Sequence, residues 1–102
     1  MAVRARPLTL LDNVAVDGSG AAHFVDGGTY SLFVQATAFG GGSVSVESSV
    51  DGTTWITLSE SGTPIALTGN AVRSIAGLSQ GLMVRGTLTG STAASGVTVT
   101  MA

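Results

Sequence analysis

The sequence predicts an all-β domain, a sandwich or barrel of about eight antiparallel strands. Three observations carry this. Apolar residues recur with period two, as at Val44, Val46 and Val50 against Ser45, Glu47 and Ser49, which is the pattern of a half-buried strand. Short apolar runs are separated at nearly regular spacing by clusters rich in glycine, whose lack of a Cβ admits the positive φ of tight turns. No segment holds apolar residues at i, i+3, i+4 and i+7 over three turns, so no amphipathic helix is expected.

The predicted strands are 8–16, 21–25, 30–39, 43–50, 55–59, 65–76 with a break at Gly69-Asn70, 82–89 and 97–101. Residues 1–7 read as an N-terminal arm and 8–102 as a single β-sandwich domain. In the third strand Tyr30, Leu32, Val34, Ala36 and Ala38 form an aliphatic face that should meet the core. The opposite face carries Phe33 and Phe39 among Ser31, Gln35 and Thr37. These two rings have two readings: Phe39 twists into the core while Phe33 packs under a loop, or both serve self-association. Ser48 shares the Val44, Val46 and Val50 face of the fourth strand, which ends at Asp51-Gly52, a hairpin turn signal. Trp55, the only tryptophan, follows within reach of the facing strand and is expected to cross the core. In the last strands Leu82, Val84, Gly86 and Leu88 oppose Met83, Arg85, Thr87 and Thr89, and Val97, Val99 and Met101 alternate with Thr98 and Thr100. Both segments suit sheets wet on one side.

At 102 residues the chain is long enough for one core without metals or disulfides. Mean hydropathy is +0.48, yet no run approaches the roughly 20 apolar residues of a membrane helix. The positive value reflects scarce charge: lysine is absent, the cations are Arg4, Arg6, Arg73 and Arg85, and the acids Asp12, Asp17, Asp26, Glu47, Asp51 and Glu60 are scattered singly. That balance offers no field for steering onto nucleic acid or an anionic membrane, and neither partner is expected. A surface with few charges also opposes close packing against other protein only weakly. The absence of cysteine excludes a disulfide framework or thiolate zinc site. Pro7 and Asp12 interrupt any apolar run near the start, so secretion through a signal peptide is not expected.

The inventory argues against catalysis, and no enzyme activity, cofactor or metal is expected. His23 is the only histidine, in a short strand between alanine and phenylalanine. It would be the only imidazole base for any serine, and no Gly-x-Ser-x-Gly elbow is present. Asp17, Asp26 and Asp51 each precede glycine, which is turn chemistry. Glu47 and Glu60 flank the predicted hairpin as a carboxylate pair, but so small a sandwich leaves little room for a glycan cleft. Gly40-Gly41-Gly42 joins two strands and lacks the lysine of a phosphate loop.

The stretch Val46-Glu47-Ser48-Ser49-Val50-Asp51-Gly52-Thr53-Thr54-Trp55, followed by Leu82-Met83-Val84-Arg85-Gly86-Thr87-Leu88 and a 90–96 turn into Val97-Thr98-Val99, resembles small virion proteins of tailed bacteriophages. The resemblance implies a jelly-roll-like β-sandwich and a head decoration, or cement, role. In that role many copies bind the major capsid protein outside the phage head, as a homo-oligomer with a trimer favoured, after assembly in the host cytoplasm. On placement, Arg4, Arg6 and Leu8 are expected to dock on the capsid and Phe33 and Phe39 to self-associate. A phage tail or fibre component is the alternative within the virion. The Asp51-Gly52-Thr53-Thr54-Trp55 hairpin also resembles discoidin-like and carbohydrate-binding β-sandwiches, in which Trp55 would stack on a sugar ring.

Overall fold

A computed structural model describes residues 7–60 and 62–102, all strand, turn and loop. The strands are β1 (Leu8–Val14), β2 (Gly18–Ser19), β3 (His23–Phe24), β4 (Gly28–Gln35), β5 (Ser43–Ser49), β6 (Ile56–Thr57), β7 (Ser59–Glu60), β8 (Thr63–Pro64), β9 (Ala71–Leu78), β10 (Met83–Thr89) and β11 (Val97–Met101). One sheet runs β1-β11-β4-β9; a second runs β2-β10-β5-β6, with β3 also on β10; β7 and β8 form a separate hairpin. Every pairing is antiparallel. The pairing is also nested. β1 lies against β11, β2 and β3 against β10, β4 against β9, and β5 against β6. Two further contacts, β11 with β4 and β10 with β5, knit these pairs into sheets.

A single core joins the two sheets in a sandwich-like arrangement. Tyr30, Leu32, Val34, Val97, Val99 and Met101 enter it from the first sheet, and Val44, Val46, Val84 and Leu88 from the second, each at most 1% exposed. Each such side chain contributes about 1.5–3 kcal/mol relative to an exposed one. The alternation read from the sequence therefore places these residues inward, as expected.

The departures have local causes. β1 carries register shifts between Thr9 and Leu11 and between Leu11 and Val14. These bulges turn Leu10 and Leu11, which are consecutive, both into the core. Asn13 supplies a positive φ of 53° within that irregular stretch, a conformation asparagine tolerates better than most residues. Gly86 on β10 makes room for the bulge, since a Cβ there would stand 3.0 Å from the Leu10 Cβ. The predicted strand 65–76 is instead a bridge, with Leu67 and Val44 exchanging both backbone bonds at 2.8 Å, followed by β9 reaching Leu78. Strand β4 stops at Gln35, so Ala38 is exposed while Phe39, beyond the strand, packs against the core.

The Asp51-Gly52 turn is wider than a two-residue hairpin. β5 and β6 pair only from Ser48 and Ile56 outward, leaving 50–55 as a loop. Ser49 is buried, and its Oγ accepts from the amides of Asp51 (3.2 Å) and Gly52 (2.8 Å) while donating to Asp51 Oδ1 (2.9 Å). That knot inverts the end of the strand: Ser49 goes in, and Val50, expected on the apolar face, is 85% exposed. Trp55 is not a core residue either. The loop brings it back over the outer face of the second sheet, where the Arg85 guanidinium carbon sits 4.2 Å from its ring centroid.

Candidate functional site

Two sheet faces point away from the core, and they differ in chemistry. On the second sheet, register places Arg85 of β10 directly across from Glu47 of β5. Arg85 Nε donates to Glu47 Oε1 at 2.7 Å, and Thr87 Oγ1 donates to the same oxygen at 2.9 Å. Ser19 Oγ on β2 lies 2.9 Å from Thr87 Oγ1, extending the chain of bonds to a third strand. Burial pushes the Glu47 carboxyl up. Hydrogen bonds from Arg85 and Thr87, with the Arg85 charge, outweigh that and hold it below the usual carboxylate range. The Trp55 ring closes the cluster over the guanidinium, a cation–π contact worth about 0.5–2 kcal/mol. This arrangement joins β2, β10, β5 and the loop before β6. It holds an acid and a base together as a neutralised pair.

Across β11, β4 and β9 the outer face of the first sheet carries no charge, and exposed Asp12 lies at its far edge on β1. Thr98 and Thr100 of β11, Ser31, Phe33 and Gln35 of β4, and Val72 and Ser74 of β9 fall on it by register. Thr9 of β1 joins them opposite Thr100. Phe33 and Val72 face each other across the strands and are 48% and 62% exposed. A shallow depression beside them is lined by Gln35, Asn70 and Ala71 as well.

Several other titratable groups fasten loops or strands together. Asp17 accepts from the amides of Gly90 (2.9 Å) and Ser91 (3.0 Å) and from Ser91 Oγ. The Ser91 hydroxyl, the Ser91 amide and the Gly90 amide hold its carboxyl below the ordinary value despite some desolvation. Asp51 Oδ1 accepts from the amides of Thr54 (2.9 Å) and Thr53 (2.8 Å) and from Ser49 Oγ, which lowers it likewise. Glu60 pairs with Arg73 at 3.0 Å, both half exposed. Half-buried His23 donates from Nε2 to the Thr9 carbonyl oxygen at 2.9 Å, so that nitrogen carries the proton. Among the described residues no three of His, Cys, Asp and Glu gather where they could hold a metal ion, and no helix is long and apolar enough to cross a membrane. An open crevice of about 400 Å³ runs between the sheets at the β1 edge, lined by Leu10, Leu11, Val14 and Val16 with Gly18 and Ala21. Asp12 and Asp17 also line it, and Asp17 is already committed to Gly90 and Ser91.

Of the residues singled out from sequence, Arg4 and Arg6 lie outside the described residues. Leu8 is half-buried and packs against the core. Phe33 stands on the uncharged part of that outer face, whereas Phe39 packs against the core, so the two are not brought to one surface. Val72 was missed. It lay in a strand whose register could not be read, although its exposure opposite Phe33 is what makes the patch. The Glu47–Arg85–Trp55 cluster was also missed as a unit, although each polar face was legible from alternation.

Comparison with known proteins finds no matching family model, no matching curated protein and no matching solved structure.

Proposed function

We propose that this chain is a structural virion protein of the capsid-decoration kind, a jelly-roll β-sandwich that binds the major capsid protein on the outside of a phage head as a homo-oligomer. The jelly-roll reading is supported by the nested strand pairing. A jelly roll is a long antiparallel hairpin rolled into two sheets, and first-with-last, second-with-penultimate pairing is what such rolling produces.

The observation that carries the functional reading is the uncharged outer face formed by β11, β4 and β9, with Phe33 and Val72 exposed. A face of threonine, serine and two apolar side chains can be covered by other protein without desolvating a charge. The acids and arginines of the described surface are mostly committed to one another or to loops. In a decoration role the mechanism is passive. Copies bind the assembled lattice and not separated subunits, so mass action stabilises the shell. Arg4 and Arg6 would supply the charged contacts to capsid carboxylates.

The test is quantitative mass spectrometry of purified particles. A copy number equal to the shell protein's, or a simple fraction of it, is expected. A handful of copies per particle would move the protein to a tail or fibre, and complete absence would overturn the virion role. Removing residues 1–6 should weaken binding to shells while leaving the fold intact; unchanged affinity would remove the arginines from the interface.

A further inference from the structure

The sheet edges are not equally protected. The free edge of β1 is broken by two register shifts, and β2, β3 and β6 are two residues each. Bulges and short strands are the usual ways of discouraging edge-to-edge pairing. β9 is neither short nor broken over most of its length, its one register shift falling between Ile75 and Leu78. It is eight residues long, it pairs with β4 without a register break from Ala71 to Ile75, and among the described residues no strand pairs with its other edge.

Hydrogen-bond parity shows what that edge presents. Ser31 exchanges both backbone bonds with Ala102 (2.7 and 3.0 Å). In an antiparallel ladder the direction of a residue's peptide groups alternates, so Ser31 and Phe33 bond toward β11, and Leu32 and Val34 bond toward β9. Their partners Arg73 and Ala71 accordingly turn their amides and carbonyls inward. The N–H and C=O groups of Val72 and Ser74 point outward from the sheet.

We infer that β9 pairs antiparallel with β9 of a second copy, joining two four-stranded sheets into one across a two-fold axis at Val72. Charge excludes the register one step further along β9. A shift of one step would set Arg73 opposite Arg73 of the other copy, a like-charge pair that destabilises a ladder. Centring on Val72 instead sets Ala71 opposite Arg73 and Asn70 opposite Ser74, with no charges facing. It also stays clear of the register shift beyond Ile75. On the outer face the result is a continuous apolar stripe, Phe33 and Val72 of one copy followed by Val72 and Phe33 of the other. The self-complementary patch meets itself, as an isologous contact requires. A partner recognised by charge would find nothing to read around Phe33 and Val72, whereas a second copy brings the matching strand. The pairing does not rest on shell binding: absence from particles would leave it standing. It makes a dimer, where the trimer implied by the family resemblance needs a three-fold contact.

Sedimentation velocity of the full chain tests it. A species of twice the 10.0 kDa monomer mass is expected at high micromolar concentration. Val72→Pro removes an outward amide and leaves the ladder to β4 intact, since proline is tolerated on the solvent side of an edge strand. Val72→Lys brings two cations together at the axis. Both variants should be monomeric with cooperative unfolding. A monomeric wild type, a trimer, or folded variants that remain dimeric would each overturn the inference. Should Val72→Pro fail to fold, hydrogen exchange of the wild type decides. Protection of the Val72 and Ser74 amides should rise with protein concentration, and concentration-independent exchange would overturn the pairing.

Discussion

Gly20 bears the strictest demand on a single residue. Its amide donates to the Gly86 carbonyl at 2.9 Å, which holds the stretch between β2 and β3 against β10. A Cβ at Gly20 would run into the backbone carbonyl oxygen of Leu10, an atom that cannot swing aside as a side chain end can. Gly20→Ala should therefore cost about 3 kcal/mol or more. Gly69→Ala, where nothing lies within 4 Å of the added carbon, should change stability by no more than about 0.5 kcal/mol. Urea denaturation of both separates steric conflict from the general effect of replacing glycine; equal losses would refute the close approach. The Arg85–Glu47 pair makes a different kind of demand. Their side chains are only 27% and 20% exposed, so the contact is shielded more than a surface pair. A double-mutant cycle with Glu47→Gln and Arg85→Ala should return a coupling of about 1–2 kcal/mol, above the range of exposed pairs. Arg85→Ala should also shift Trp55 emission, because the guanidinium covers the ring; an unchanged spectrum would deny that contact.

At the scale of elements, carboxylates fasten loops to strands. Asp17 ties the β1–β2 connection to the turn after β10, and Asp51 organises the loop between β5 and β6. These two and Glu47 titrate below the ordinary values of 3.8, 3.8 and 4.5 in the folded chain. Between folded and ordinary values the unfolded chain binds more protons, so stability rises with pH there. Their contribution is present above the ordinary carboxylate range and is lost as pH falls through the folded values. The melting temperature should be nearly flat above about pH 5 and drop below about pH 4. Asp17→Asn should shallow that drop, and a wild-type melting temperature unchanged to pH 2.5 (an order-of-magnitude limit about one unit below the carboxylate range) would refute the account. The same elements show what could be read from sequence. Strands buried on one face, β4, β10 and β11, announce themselves by alternation, and the structure keeps that alternation in Tyr30, Leu32 and Val34. Turn glycines were legible as well, as at Gly52 with its φ of 78°. Alternation fails where an extra residue enters, at Leu10 and Leu11, or where a side chain replaces the ladder, at Ser49. It also says nothing of which strand lies beside which, so the pairing of Glu47 with Arg85 and of Phe33 with Val72 could not be read in advance.

At the scale of the whole molecule, nested pairing makes the order of assembly a physical question. Bringing β1 to β11 directly would close nearly the entire chain, whereas β5 meets β6 across a short loop. Loop-closure entropy grows with the logarithm of the enclosed length, and each inner pair that forms shortens the loop left for the next. Folding should thus zip outward, from β5 with β6 and β10, through β4 with β9, to β1 and β11. Such reliance on distant contacts places folding in the range of about milliseconds to seconds. Val46 and Leu11, both buried, sit at the inner and outer ends of that sequence. Truncating either to alanine should cost about 2–5 kcal/mol for leucine and somewhat less for valine. The kinetic signatures should differ. Val46→Ala should mainly slow folding, since its contacts form before the barrier, and Leu11→Ala should mainly speed unfolding, since its contacts form after it. Stopped-flow chevrons of the two variants read this directly. The reverse pattern, with Leu11→Ala slowing folding and Val46→Ala leaving it untouched, would mean that the outermost strands meet first and that the roll closes from its ends.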